Sequence, residues 1–98
     1  MIVASSLLAA SASANLITNG SFESDVGLTG TDWGVYGAIN GWYTSGESAG
    51  IEIQRNTITS AQDGSQYVEL DSHGRNSNSS MSQDLFGLTV GQTYQLDF

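Results

Sequence analysis

Apolar residues in this chain recur at every second position and never hold a helical spacing. After Ala14 no window sustains apolar residues at i, i+3, i+4 and i+7, whereas four short runs alternate. Ile51-Glu52-Ile53-Gln54 sets two isoleucines on one face and two polar side chains on the other. Tyr67-Val68-Glu69-Leu70-Asp71 repeats the pattern with Val68 and Leu70 facing in, and Met81-Ser82-Gln83-Asp84-Leu85 repeats it again. Thr93 to Phe98 is the fourth run, with Tyr94, Leu96 and Phe98 on its apolar side. Turn signals separate the runs: Asp63-Gly64, Ser72-His73-Gly74 and Thr89-Val90-Gly91-Gln92. A first strand is expected over Leu16 to Thr18, stopped by Asn19-Gly20. Leu28 to Gly41, Gly-rich and aromatic, is expected as a long loop or a broken strand. Half-polar strands joined by tight turns predict an all-β fold, an antiparallel β-sandwich.

Charge narrows the partners. Ten Asp and Glu stand against Arg55 and Arg75, with no Lys, for a net charge of −8. Such a surface lacks the basic footprint that binds phosphates, which excludes nucleic acid as a natural partner. It repels anionic membranes for the same reason. The absence of Cys excludes a disulfide framework, thiolate zinc sites and thiol catalysis.

Met1 to Ala14 is apolar and uncharged, too short to span a bilayer, and ends in the small-residue signal Ala12-Ser13-Ala14. It reads as a secretory signal peptide whose basic n-region is missing, with cleavage after Ala14. The mature chain is therefore expected outside the cell, secreted or on its surface, with no membrane insertion of its own. The about 84 residues from Asn15 to Phe98 supply fewer strands than a complete sandwich needs. Residues 15–98 are accordingly expected to be the N-terminal part of a β-sandwich domain that is incomplete at its C-terminus.

The side chains do not assemble a recognisable catalytic set. His73 is the single histidine and sits in a turn; no Gly-x-Ser-x-Gly, His-Glu-x-x-His or phosphate-loop pattern occurs. Glu69 and Asp71 share a strand face about 6.7 Å apart by the strand rise. They stand side by side, whereas a glycosidase pair flanks the sugar from opposite sides. The chain is expected not to be an enzyme. Sugar recognition instead combines aromatic faces with polar groups in a shallow concave site. Trp33 and Tyr36 are the candidate platform, and Glu69, Asp71 and Asn76 the candidate hydroxyl partners. Hard-oxygen donors suited to calcium are Glu23, with Asp25 two residues on, and Asp63 at the start of a turn.

Four segments occur in order: Asn15-Leu16-Ile17-Thr18-Asn19-Gly20-Ser21-Phe22-Glu23, Ile39-Asn40-Gly41-Trp42, Asp63 to Asp71 (DGSQYVELD), and Gly87 to Tyr94 (GLTVGQTY). Together they resemble the galactose-binding-like jelly-roll family of secreted proteins of unassigned function, found in plant cell walls and in exported bacterial PEP-CTERM proteins. The resemblance spans Asn15 to Phe98; the lack of Cys fits the bacterial branch. It implies a jelly roll that binds carbohydrate or a cell-wall or extracellular polymer, with Trp42 in the core instead of at the ligand, and often with a structural calcium at the positions of Glu23 and the loop near Asp63. Two other readings stay open: a structural or interaction protein of the cell envelope without sugar affinity, and the accessory domain of a secreted hydrolase.

Overall fold

The computed structural model describes residues 15–44, 49–71 and 78–98. The signal-peptide reading, the turn at His73 and the proposed contact at Asn76 lie outside those residues. Every regular element described is a β-strand: β1 (Asp32–Tyr36), β2 (Ala38–Ile39), β3 (Trp42–Tyr43), β4 (Ile51–Arg55) and β5 (Tyr67–Glu69). No helix among the described residues is long and apolar enough to cross a membrane.

The alternating run at Ile51 becomes β4, the middle strand of an antiparallel sheet ordered β1-β4-β5. Its register sets Gly34 and Val68 opposite Ile53, and Tyr36 opposite Ile51. That face is the core. Ile51 and Ile53 are fully buried with Val26 and Ile39, and Phe22, Leu28, Tyr36, Trp42, Val68 and Met81 pack around them. Gly50 leads into β4 at φ +124°; a Cβ there would stand 2.6 Å from Val35 Cγ1 and 3.1 Å from the Tyr36 carbonyl oxygen. Only glycine lets β4 start this close to the end of β1.

β2 and β3 form a two-residue hairpin around Asn40-Gly41, with Ile39 paired to Trp42. Gly41 takes φ +83°, as a tight turn requires at that position. The loop is seated on the preceding turn: the Asn40 amide donates to Asp25 Oδ2 at 2.8 Å, and Asn19 Nδ2 donates to the Asn40 carbonyl at 2.9 Å. Ile39 and Trp42 thereby join the same core as the three-stranded sheet.

Several expected strands differ. Leu16 to Thr18 runs into a turn, because Asn15 Oδ1 takes the Ile17 amide and the Asn19 carbonyl takes the Phe22 amide. Met81 to Leu85 contributes one backbone pair, Ser82 with Tyr43. Beside it, Gln83 does with its side chain what a strand does with its backbone, accepting the Thr18 amide and donating to the Thr18 and Gly41 carbonyls. The broken strand between Leu28 and Gly41 is β1 and β2, interrupted at Gly37. Leu70, expected to face in, is 53% exposed, since β5 ends at Glu69 and Leu70 falls in the bend beyond it. Thr93 to Phe98 forms no ladder and is exposed throughout.

Candidate functional site

Alternation along β4 that buries Ile51 and Ile53 on one face puts Glu52 and Gln54 on the other. The register adds their neighbours: Trp33 stands opposite Gln54 on β1, Tyr67 opposite Gln54 on β5, Val35 opposite Glu52 and Glu69 opposite Glu52. An aromatic ring, two carboxylates, an amide and a phenol thus share one sheet face. Trp33 is 45% exposed, whereas Glu52 is completely buried.

Gln54 organises this face. Its Nε2 donates to Glu52 Oε1 at 2.7 Å and also to Glu69 Oε2, so one amide nitrogen joins two carboxylates facing each other across the strands. Its Oε1 accepts from Thr57 Oγ1 at 2.6 Å and from the Tyr67 hydroxyl at 2.9 Å. The Tyr67 oxygen in turn accepts the backbone amides of Ile58 at 3.0 Å and Thr59 at 3.1 Å. Partial burial pushes the Tyr67 phenol up, but the bonds from Thr57, Thr59 and Ile58 outweigh it and bring the phenol below its usual value. The loop after β4 is therefore fastened to β5 through this oxygen.

The structure brings together Trp33 and Glu69 among the ligand contacts expected from sequence, with Gln54 between them. Tyr36 is not with them. It lies on the core face of β1, three residues from Trp33, and packs against the buried cluster with its hydroxyl folded over Gly34. Strand parity decides this: positions 33 and 36 point to opposite faces. Asp71 lies past the end of β5, exposed and bridged to Asn78. Trp42 is half-buried against the core, its ring tilted 43° to Phe22 with centroids 5.9 Å apart. Its indole N–H donates to the Asn19 carbonyl at 3.0 Å.

Glu23 serves the chain itself. Its Oε1 accepts the backbone amides of Ser65 at 2.5 Å and Gln66 at 2.7 Å, fastening the turn that begins at Asp63. No group of three or more Asp, Glu or His side chains able to hold a metal ion occurs among the described residues.

Glu52, Gln54, Thr57 and Tyr67 are absent from the residues expected on sequence grounds. In the sequence Glu52 and Gln54 are the polar side of an alternating strand. They are buried where Trp33, Val35, Tyr67 and Glu69 of the neighbouring strands flank them on this face, and that arrangement is a property of three segments together. A second concave feature is a cleft of about 990 Å³ at the open end of the core. Its apolar walls are Ile17, Phe22, Trp42, Val68, Leu70 and Met81.

No family model, curated protein or solved structure matches this chain.

Proposed function

We propose that this chain is an exported, non-enzymatic β-sandwich module of the galactose-binding-like jelly-roll type that binds carbohydrate or an extracellular polymer. One observation carries the reading: the exposed indole of Trp33 shares a sheet face with Glu69, and Gln54 on the strand between them donates to the Glu69 carboxylate. An aromatic surface beside fixed acceptors suits a sugar, whose C–H face stacks while its hydroxyls donate. A net charge of −8 disfavours anionic polymers unless a divalent cation bridges the two, so neutral glycans are the natural ligand class. Calcium at Glu23 and Asp63 belongs to this reading as a structural ion.

The test is retention on neutral polysaccharides, with and without calcium, of the wild type and of Trp33→Ala. Lost retention in a variant that still melts cooperatively supports the site. A folded wild type that binds no glycan in either condition replaces this reading with that of an envelope structural or interaction protein.

A further inference from the structure

We propose that the apolar cleft is a second binding site, for a small amphipathic cation: an aryl or alkyl body that carries a protonated amine. Its volume of about 990 Å³ falls in the range of small-molecule sites, about 300–1,000 Å³. Val68 reaches it from the core face of β5, so the cleft is separate from the sheet face that carries Trp33. Phe22, Trp42, Val68 and Met81 line it, all packed on the buried cluster and none of them fully buried.

The aromatic part of the wall is held in place at a conformational cost. Phe22 takes φ +63°, a left-handed backbone that a bulky side chain adopts only where its neighbours enforce it. Here they do. The Asn19 carbonyl accepts both the Phe22 amide at 3.2 Å and the Trp42 indole N–H at 3.0 Å, so one oxygen positions both rings. Gln66 Nε2 donates to the Phe22 carbonyl and fixes the other side of the same residue. The two rings, 5.9 Å apart, are thus a pre-formed contact surface, and strain of this kind points to a functional wall.

The charged groups select the ligand. Asp63 and Asp97 line the cleft, and among the described residues no basic side chain does. The Asp63 carboxylate is exposed and accepts no hydrogen bond from the described residues. Asp97 gives Oδ1 to Gln95 Nε2 at 2.8 Å and leaves Oδ2 for a ligand. An ammonium gains from both carboxylates and from the faces of Phe22 and Trp42. A hydroxyl in its place gains neither charge term, and a carboxylate is repelled.

Three probes with one body and different heads test the site: phenylbutylamine, phenylbutanol and phenylbutyrate. Each is titrated into the full chain at neutral pH, with a chelator present so that no divalent cation competes at Asp63, and followed by amide NMR. The amine should bind about tenfold more tightly than the alcohol, and the acid more weakly than either. The shifted amides should be those around Phe22, Trp42, Val68 and Met81. Asp63→Asn combined with Asp97→Asn should bring the amine down to the affinity of the alcohol and leave the alcohol unchanged. Asp32→Asn combined with Asp84→Asn removes the same charge from residues that do not line the cleft, and should change neither. No binding, equal binding of the three probes, or shifts elsewhere on the chain overturn the proposal. So does an amine advantage that survives the cleft variant, or that both variants reduce alike, since it then reflects net charge alone.

Discussion

The Glu23 carboxylate accepts the backbone amide of Gln66 at 2.7 Å, and the Gln66 side-chain amide returns a bond to the carbonyl of Phe22, the neighbour of Glu23. Gln66 Oε1 meanwhile accepts the Leu28 amide at 2.8 Å, with the Gln66 side chain buried. Two loops distant in sequence are thereby clasped, and the chain enters β5 at a fixed angle. Bonds from backbone amides to a charged acceptor contribute about 1.5–3 kcal/mol each, less where water competes.

Glu23→Ala should therefore lower stability by about 1–3 kcal/mol, seen as a drop in the urea midpoint without a change in slope. Glu23→Gln, which keeps an acceptor but loses the charge, should fall between the two. The same melts with calcium or with a chelator test the structural ion: stabilisation by calcium that Glu23→Ala lacks supports it, and identical melts remove it.

Gly64 should resist substitution for two separable reasons. Its φ of +69° costs an L-residue about 1–2 kcal/mol, and a Cβ there would lie 2.5 Å from Glu23 Oε1. Gly64→Ala should then be destabilising alone, but the Glu23→Ala, Gly64→Ala pair should lose less than the sum, because one variant removes the other's clash. Strict additivity in a double-mutant cycle would contradict this contact.

The core was legible where one strand's own pattern decides it. Ile51 and Ile53 alternate, and they are buried. Legibility failed where burial depends on neighbours. Glu52 and Gln54 have the signature of a solvated face, yet both are buried where side chains of β1 and β5 flank them. Tyr36 looked equivalent to Trp33 because both are aromatic in a Gly-rich stretch. Once β1 is a continuous strand, their odd separation assigns them to opposite faces. Gln83 shows a third kind of failure: its strand-like pairing with Thr18 runs through a side chain and leaves no periodicity to read.

The two tryptophans should separate binding from stability. Trp42→Ala removes the Phe22 contact and the indole bond to Asn19, and should cost about 3 kcal/mol, the lower end for a Trp truncation because the ring is only half-buried. Trp33→Ala should cost about 1 kcal/mol or less, as nearly half of the residue's surface is in solvent and it lies on the face away from the core. Thermal melts of the two variants distinguish these assignments, and a larger loss in Trp33→Ala would move the core boundary to the other face of the sheet.

Two tyrosines should titrate on opposite sides of the ordinary phenol value of about 10. The Asp84 carboxylate raises the Tyr43 phenol, first by its charge and then as the acceptor of the hydroxyl at 3.2 Å, with a further push from desolvation. Tyr67 moves down, because the amides of Ile58 and Thr59 and the Thr57 hydroxyl outweigh the opposing effect of its partial burial. The signs follow from linkage. The depressed Tyr67 value adds stability only as pH climbs through it towards about 10, and nothing at neutral pH, where the phenol is protonated folded or unfolded. The raised Tyr43 value acts in reverse: its favourable pairing is fully present below about 10 and is lost as pH rises through the folded value. Ring-carbon NMR shifts followed through alkaline pH should show Tyr67 ionising before Tyr43. Asp84→Asn should return Tyr43 towards about 10 without moving Tyr67, since the causes sit on separate elements. If Asp84→Asn leaves the Tyr43 titration in place, the pairing of β3 with the segment around Ser82 is not what sets that phenol.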